Sequence, residues 1–486
     1  EKRPYYRKVQ NMWRINSDLI PQSLDILLVQ PSLDFTKDLN ALMARKVEED
    51  IIISNCPPPG IGYLLSIAKQ NNIKAKFIDM VTSKVHAEEL YHYINVSKPT
   101  LVGFGALTIQ IKHAGTLAQE IKKRFPDTLV CAGGMHPTAM PKETLEEFPA
   151  LDFVISGEGE LVLLKIFEHL DKKIPLSNIP GVATRDKPEP GGQQIKDLDS
   201  LPFPAWDEMD LSLFHGIFPH RTKLELPMWT SRGCPFPCTF CARPLGRDRI
   251  HRSVASVISE IERNIEEFGC ESIAFIDETF IVNKKWSSEL FRTMIKRGLN
   301  KKINWSCETH VNITSPELFE LMKRSGCYYV FFGLENADDS MLRDSGKMSK
   351  TATVKNAVKW AKDAGIVVAG SFIIGLPGET DETVMHSIKL AQELGLYSVT
   401  FPIAVPFPGT HLRQQALNGE HGLRLLTDDW NDYDKQHPGV MESKTMPIGR
   451  RLELQKIAYE LNPKNKIENY IKKLSRRQQT ETADCI

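Results

Sequence analysis

Short aliphatic runs alternate with helix-length segments along most of this chain, in two series separated by a stretch crowded with proline, glycine and aspartate. That alternation is the strongest constraint on the fold. A strand buried on both faces reads as a continuous apolar run, and a helix after each strand returns the chain for a parallel neighbour. The first series opens with Leu24-Asp-Ile-Leu-Leu-Val-Gln-Pro31, a strand stopped by proline. It continues with a helix over 61–71, strands over 74–79 and 101–105, a helix over 109–125, strands over 129–132 and 152–156, and a helix over 161–170. Glycines follow several of these strands, and in such sheets ligands bind in the crevice at the carboxyl ends.

The second series predicts strands over 226–230, 272–276, 303–307, 328–333, 367–374 and 398–403. Helices over 256–268, 286–297, 316–325, 351–364 and 380–393 fall between them. Six such units with right-handed crossovers make a partial (β/α)6 barrel whose strand ends share one face. The reading is therefore α/β: an N-terminal arm (1–23), a doubly wound Rossmann-like domain (24–180), a linker (181–225), a partial TIM-like barrel (226–410) and a small helical C-terminal region (411–486).

The 486 residues allow two to four domains and ample core. A formal charge of zero gives no overall pull toward nucleic acid or an anionic membrane. No apolar run spans a bilayer and the charged first residues lead into no signal core, so a cytoplasmic protein is expected. The nine cysteines are odd in number and mostly sit in apolar segments, which fits a reducing compartment better than a disulfide framework.

Three of them stand apart. Ser231-Arg-Gly-Cys234-Pro-Phe-Pro-Cys238-Thr-Phe-Cys241 follows the first barrel strand, and Pro235 and Pro237 remove backbone donors and stiffen the loop. Soft thiolates suit an iron–sulfur cluster or zinc. Most clusters take four cysteines, so three leave one iron open to a non-protein ligand, as a catalytic cluster requires. The alternatives are chance clustering, or zinc with a fourth ligand, for which His251 beyond a basic segment is the nearest candidate.

The Cys-x-x-x-Cys-x-x-Cys spacing resembles the radical S-adenosylmethionine superfamily. Further features recur in order: Phe240 before the last cysteine, Ile276-Asp277-Glu278-Thr-Phe280, Phe332-Gly333-Leu334-Glu335, and Gly370-Ser-Phe-Ile-Ile-Gly375-Leu-Pro-Gly378-Glu379-Thr380. The resemblance covers about 226–410. It implies a 4Fe-4S cluster on Cys234, Cys238 and Cys241 that binds and reductively cleaves S-adenosylmethionine. It also implies Phe240 near the adenine, Glu278 and Glu335 accepting hydrogen bonds from the amino group or ribose, and Gly375 at the cofactor. Asp277, Glu278 and Glu335 have a plainer reading as helix caps, and Gly375 and Gly378 one as turn formers. His310 stands where many relatives carry other polar residues, and reads as a satisfied polar group rather than a substrate contact.

Residues 24–175 resemble the cobalamin-binding domain that precedes such barrels. The matching segments are Pro57-Pro58-Pro-Gly60-Ile-Gly62-Tyr63-Leu64, Phe104-Gly105-Ala-Leu-Thr108, Gly133-Gly134-Met-His136-Pro and Gly157-Glu158-Gly-Glu160. The resemblance makes Pro58, Gly60, Tyr63, Gly105, Thr108, Gly133, Gly134, His136, Gly157 and Glu158 the cobalamin-binding candidates, with small residues admitting the flat corrin. The Asp-x-His-x-x-Gly cobalt-ligating motif is absent, as is normal in this branch, and His136 is read as a loop residue rather than a cobalt ligand. No Gly-x-Gly-x-x-Gly follows the first strand, which argues against a dinucleotide.

The implied activity is methylation of an unactivated carbon of a small-molecule, natural-product or lipid substrate, with a flavodoxin or ferredoxin as electron donor. A cobalamin-dependent cyclase or rearrangement enzyme has the same signature. A tRNA methylthiotransferase is disfavoured because only Cys56 and Cys131 precede the barrel. A monomer with no nucleic-acid partner is expected. The basic tail from Ile448 to Arg477 reads as a solvated helix, with peripheral membrane contact as the alternative. Phe407, Trp430 and Tyr433 are candidate pocket residues.

Overall fold

The computed structural model describes residues 20–32, 56–83, 85–192, 194–214, 216, 224–434 and 439–462. They form two compact units. The first holds the described residues through 214 with Pro244–Gly246 and Asp429–Asn431, and the second holds the remainder.

In the first unit, β1 (Ile26–Gln30), β2 (Ala75–Asp79), β3 (Leu101–Gly105), β4 (Leu129–Gly133), β5 (Phe153–Ile155) and β6 (Val182–Ala183) form one sheet in the order β2-β1-β3-β4-β5-β6. All pairs are parallel except β5–β6. The helices are α1 (Pro59–Gln70), α2 (Ala87–Ser97), α3 (Ile111–Arg124), the short α4 (Met135–Ala139) and α5 (Pro141–Glu147), and α6 (Glu160–Lys172). Leu27, Val29, Val102, Phe104, Val130 and Val154 are almost wholly buried, as a sheet covered on both faces demands. The strand order reverses between β1 and β3, so the crevice for a ligand opens at their carboxyl ends.

The predicted linker is corrected here. Residues 181–214 belong to the first unit: β6 closes the sheet edge, and Trp206 is fully buried. Gly62 has a different reason from the one inferred from sequence. A Cβ there would lie 2.8 Å from the Pro204 Cβ and 3.1 Å from the Trp206 ring. It is glycine so that α1 can pack on this segment.

In the second unit, β7 (Glu225–Met228), β10 (Ser272–Phe275), β11 (Asn304–Thr309), β12 (Cys327–Glu335), β13 (Val367–Phe372) and β14 (Ser398–Thr400) lie side by side in chain order, all parallel. Helices α7 (Val254–Phe268), α8 (Lys284–Lys296), α9 (Pro316–Arg324), α10 (Asp339–Asp344), α11 (Thr351–Asp363) and α12 (Asp381–Leu394) supply the crossovers. This is the expected partial (β/α)6 barrel. Side-chain caps start several helices: Ser253 accepts from Ser256 N, Asn283 from Trp286 N, Ser315 from Leu318 N and Thr380 from Thr383 N. Left-handed Gly269 and Gly395 end α7 and α12. Phe275, Phe280, Phe291 and Trp305 pack as one aromatic group with centroids 4.5–6.0 Å apart.

A short ribbon, β8 (Ser231–Arg232) with β9 (Ile250–His251), brackets the cysteine loop. The C-terminal region carries α13 (His411–Leu417), an antiparallel pair β15 (Leu423–Leu425) and β16 (Met441–Ser443), and α14 (Ile448–Leu461). The basic tail beyond 462 and the arm through 19 lie outside the described residues.

Replacing Gly62 by alanine improves helix propensity by about 1 kcal/mol but overpacks a rigid contact, at a typical cost of about 1–3 kcal/mol. The expected result is a net loss of about 1 kcal/mol. It would be seen as a lower denaturant midpoint with unchanged slope, and an unchanged midpoint would refute the packing role.

Candidate active site

Residues 233–242 carry no regular structure except turns, and they leave the barrel at the end of its first strand. Gly233 has φ +90, so the chain turns there in a conformation that glycine alone adopts cheaply. Cys234 and Cys238 are buried and Cys241 is exposed, all three as free thiols. Burial pushes the Cys238 thiol up, and metal must displace that proton to bind. Among the described residues no three His, Cys, Asp or Glu side chains are close enough to hold a single metal ion. A tetrahedral zinc site needs sulfurs only about 3.8 Å apart, given Zn–S bonds near 2.3 Å, whereas a four-iron cube meets each thiolate at a separate corner. The loop offers three thiols, one of them open to solvent, and that donor set fits a cluster with a free iron.

The acidic pair after β10 holds the entry to this loop. The Asp277 carboxylate accepts from Thr230 N at 3.1 Å and Thr230 Oγ1 at 2.9 Å, and also from Ser231 Oγ. Arg249 Nη2 lies 3.9 Å from it, with both side chains almost fully buried. Glu278 accepts from Gly233 N. Neither acid caps the next helix; Asn283 does that. Glu278 differs from Asp277 in being exposed, yet it is crowded enough that lost solvation raises its carboxyl to about 7. Thr279 Oγ1 lies 3.5 Å from Cys234 Sγ.

A second segment clamps the loop from the other side. Thr239 N donates to Ser345 O at 2.9 Å, and Leu412 N donates to Thr239 O at 2.9 Å. Phe236 stacks on His310 with centroids 4.0 Å apart and planes 9° apart. His310 Nδ1 accepts from Asn312 N, so Nε2 carries the hydrogen and donates to Lys347 O at 3.0 Å. Burial pulls this imidazole down to about 3, and it stays neutral. His310 is thus a satisfied prop, as the plainer sequence reading held.

Glu335 ends β12 at φ +66, a left-handed position unusual for a side-chain residue. Its Oε1 accepts from Lys347 Nζ at 3.0 Å, both groups being nearly buried. Asp338, not Glu335, caps α10. Lys347 had no signal in the sequence, because it lies past a short helix and outside every motif.

After β13, Gly375 has φ +93, and a Cβ there would meet the Arg451 guanidinium at 2.5 Å. Glu379 reaches back to accept from Gly375 N at 2.5 Å and from Asn336 Nδ2 at 2.6 Å. Arg451, on α14, donates to Met446 O at 3.1 Å and Met441 O at 2.8 Å. Phe240 packs on the apolar group that includes Leu376 and Leu412. Cysteine loop and glycine loop therefore share one floor.

In the first unit, Gly105, Gly133 and Gly157 stand at or just past the carboxyl ends of β3, β4 and β5. A Cβ on Gly157 would meet nothing within 4 Å, and one on Gly105 or Gly133 only ordinary contacts at 3.5 Å or more. Gly157 thus faces open space, while Gly105 and Gly133 have room for a side chain without a clash. Pro58 and Gly60 start α1 beside them, half-buried, while Tyr63 and Thr108 are buried. Gly134 serves the backbone: at φ +101 its Cβ would lie 2.9 Å from Ala106 O. His136 is 1% exposed and packs edge-on against Trp430 at 4.9 Å, a core position rather than a presented ligand. The Glu158 carboxylate accepts from Ile195 N, tying it to the neighbouring chain. Cys131 lies inside β4, its thiol pushed well up by burial.

Trp430 donates to Glu147 at 2.7 Å, and Tyr433 accepts from Arg413 at 2.8 Å. Both side chains are buried.

Comparison with known proteins follows this division. Residues 229–391 match the model of the radical SAM superfamily, and 52–167 match that of the B12 binding domain. The uncharacterized methyltransferase PH0819 of Pyrococcus horikoshii is 34% identical over 84% of this chain and 88% of that protein. The anaerobic magnesium-protoporphyrin IX monomethyl ester cyclase of Rubrivivax gelatinosus is 28% identical over 83% of this chain and 73% of its own. Among solved structures, the radical S-adenosylmethionine methyltransferase TsrM from Kitasatospora setae, with cobalamin and a [4Fe-4S] cluster bound, superposes with a TM-score of 0.69. It is 17% identical and covers 91% of this chain and 89% of that one.

Two outcomes follow from the buried charges. Asp277→Ala leaves the Arg249 guanidinium and three donors without their acceptor, and should cost about 3 kcal/mol in denaturant unfolding; a loss below about 1 kcal/mol would refute the tether. Burial raises Glu379 from its ordinary 4.5 to about 7. Between those values the folded chain keeps a proton that the unfolded chain has lost. Stability contributed by this group is therefore present below 4.5 and lost as pH rises to 7, by about 3 kcal/mol in all. Glu379→Gln should gain on the parent across that window in denaturation midpoints, and parallel pH curves would refute the buried carboxyl.

Proposed function

The chain belongs to the family of cobalamin-binding radical S-adenosylmethionine enzymes, and from that membership we propose that it methylates an unactivated carbon of a small-molecule, natural-product or lipid substrate. Its cofactors are a 4Fe-4S cluster, S-adenosylmethionine and cobalamin. When bound, these supply an electron, a radical source and a transferable methyl group. The polypeptide binds them, orients them and excludes water.

We assign the cluster to Cys234, Cys238 and Cys241. The observation that carries this reading is the loop itself, pinned at its entry by Asp277 and Glu278 and at its middle by Ser345. A loop held at both places presents its thiols without first having to be ordered. Glu278, exposed past the end of β10, takes the amino group or ribose of S-adenosylmethionine; Glu335 is already held by Lys347. Phe240 and the Gly375–Gly378 turn form an apolar and backbone surface for the adenine. Gly105, Gly133 and Gly157, with Pro58 and Gly60, form the face for the corrin.

A second reading is a cobalamin-dependent cyclase or rearrangement enzyme, favoured by the likeness to the magnesium-protoporphyrin cyclase. A flavodoxin or ferredoxin is the electron donor we propose, in the cytoplasm. No helix among the described residues is long and apolar enough to cross a membrane.

Anaerobic turnover of the reconstituted chain with candidate substrates should give methylated product together with 5′-deoxyadenosine and S-adenosylhomocysteine. Product that carries no added methyl group would select the second reading. Cys238→Ala should lose the cluster's visible absorbance and reduce 5′-deoxyadenosine formation to background. Full cleavage by that variant would sink the cysteine assignment.

A further inference from the structure

Lys347 is a buried ammonium that no motif announces. Its side chain is 9% exposed, and Glu335 Oε1 at 3.0 Å is its ion-pair partner. Its place follows from the backbone beside it. Gly346 runs so close to the cysteine loop that a Cβ would stand 2.4 Å from Pro237 O and 3.3 Å from the Cys238 Cα. Ser345 O accepts from Thr239 N, Lys347 O accepts from His310, and Met348 O accepts from Asn312. Three successive hydrogen-bond contacts thus press residues 345–348 onto the loop and onto the prop beneath it. An isolated charge would not be buried at such a cost without compensation. Here the compensation is the Glu335 carboxylate, and the close approach of Gly346 to Cys238 sets the pair beside the cysteine loop.

We propose that Lys347 is a positioning residue that acts as the countercation of the cluster, raising its reduction potential by stabilising the added electron, with the Glu335 carboxylate opposing it. This rests on the assignment of the cluster to Cys234, Cys238 and Cys241. A cluster held by three thiolates carries negative charge, and one more electron increases it. A fixed positive charge in a medium of low dielectric lowers the energy of the reduced form more than that of the oxidised form.

The test is an anaerobic redox titration followed by electron paramagnetic resonance of the reduced cluster, on chains matched for iron and sulfide. Lys347→Met should lower the reduction equilibrium constant about tenfold, or about 59 mV for a one-electron couple. Lys347→Arg, which keeps the charge, should stay close to the parent. Glu335→Gln keeps the cation and removes its opposing charge, so it should shift the potential upward, and it carries the test alone if Lys347→Met does not fold. A parent-like potential in either Lys347→Met or Glu335→Gln overturns the proposal. A parent chain that takes up no cluster overturns the cysteine assignment instead, and iron and sulfide content shows this before any titration begins.

Discussion

The buried Asp277 carboxylate is the constraint on which the barrel rim depends. It stands two residues past β10 and accepts three hydrogen bonds from Thr230 and Ser231, just past the neighbouring strand β7. Two parallel strands in register bring their carboxyl ends together but leave the next residues free to diverge. Asp277 removes that freedom at the point where the cysteine loop begins. Its own burial is tolerable because Thr230, Ser231 and Arg249 surround it with donors.

The same device recurs along the rim. Asp277 faces Arg249 and Glu335 faces Lys347. In each case the acid sits at or just past a strand end, and the cation comes from a different element. Removing one member from a buried pair is far costlier than replacing both, so each pair fixes a loop relative to its strand. The glycines follow from this. Gly333 leaves the space that the Glu335 and Lys347 head groups fill, and Gly375 leaves the space for the Arg451 guanidinium.

Periodicity made both sheets legible, because most of the parallel strands carry an apolar run and a helix-length segment follows. It failed where tertiary contact decides. β6 is two residues long and exists by pairing with β5. The short α4 and α5 contain too few turns for an apolar stripe. The cysteines and the acids at the strand ends were visible because their spacing is local. Arg249 and Lys347 were not, since a cation gains its meaning only from the carboxylate that the fold places beside it. Glu158 and His136 were legible as positions but not as roles: one is tied to Ile195 and the other packs against Trp430.

These two kinds of information divide the labour of the site. Local spacing identifies the cysteines and acids proposed to meet the cofactors, and such residues can be recognised in a chain of any fold. The cations that hold those donors in place stand just before β9 and in the segment after α10. A cluster loop rich in proline is stiff within itself but undirected as a whole. Its direction comes from Asp277 and Glu278 at one end and Ser345–Lys347 at the other. The chemistry belongs to the motif, and its orientation belongs to residues that no motif contains.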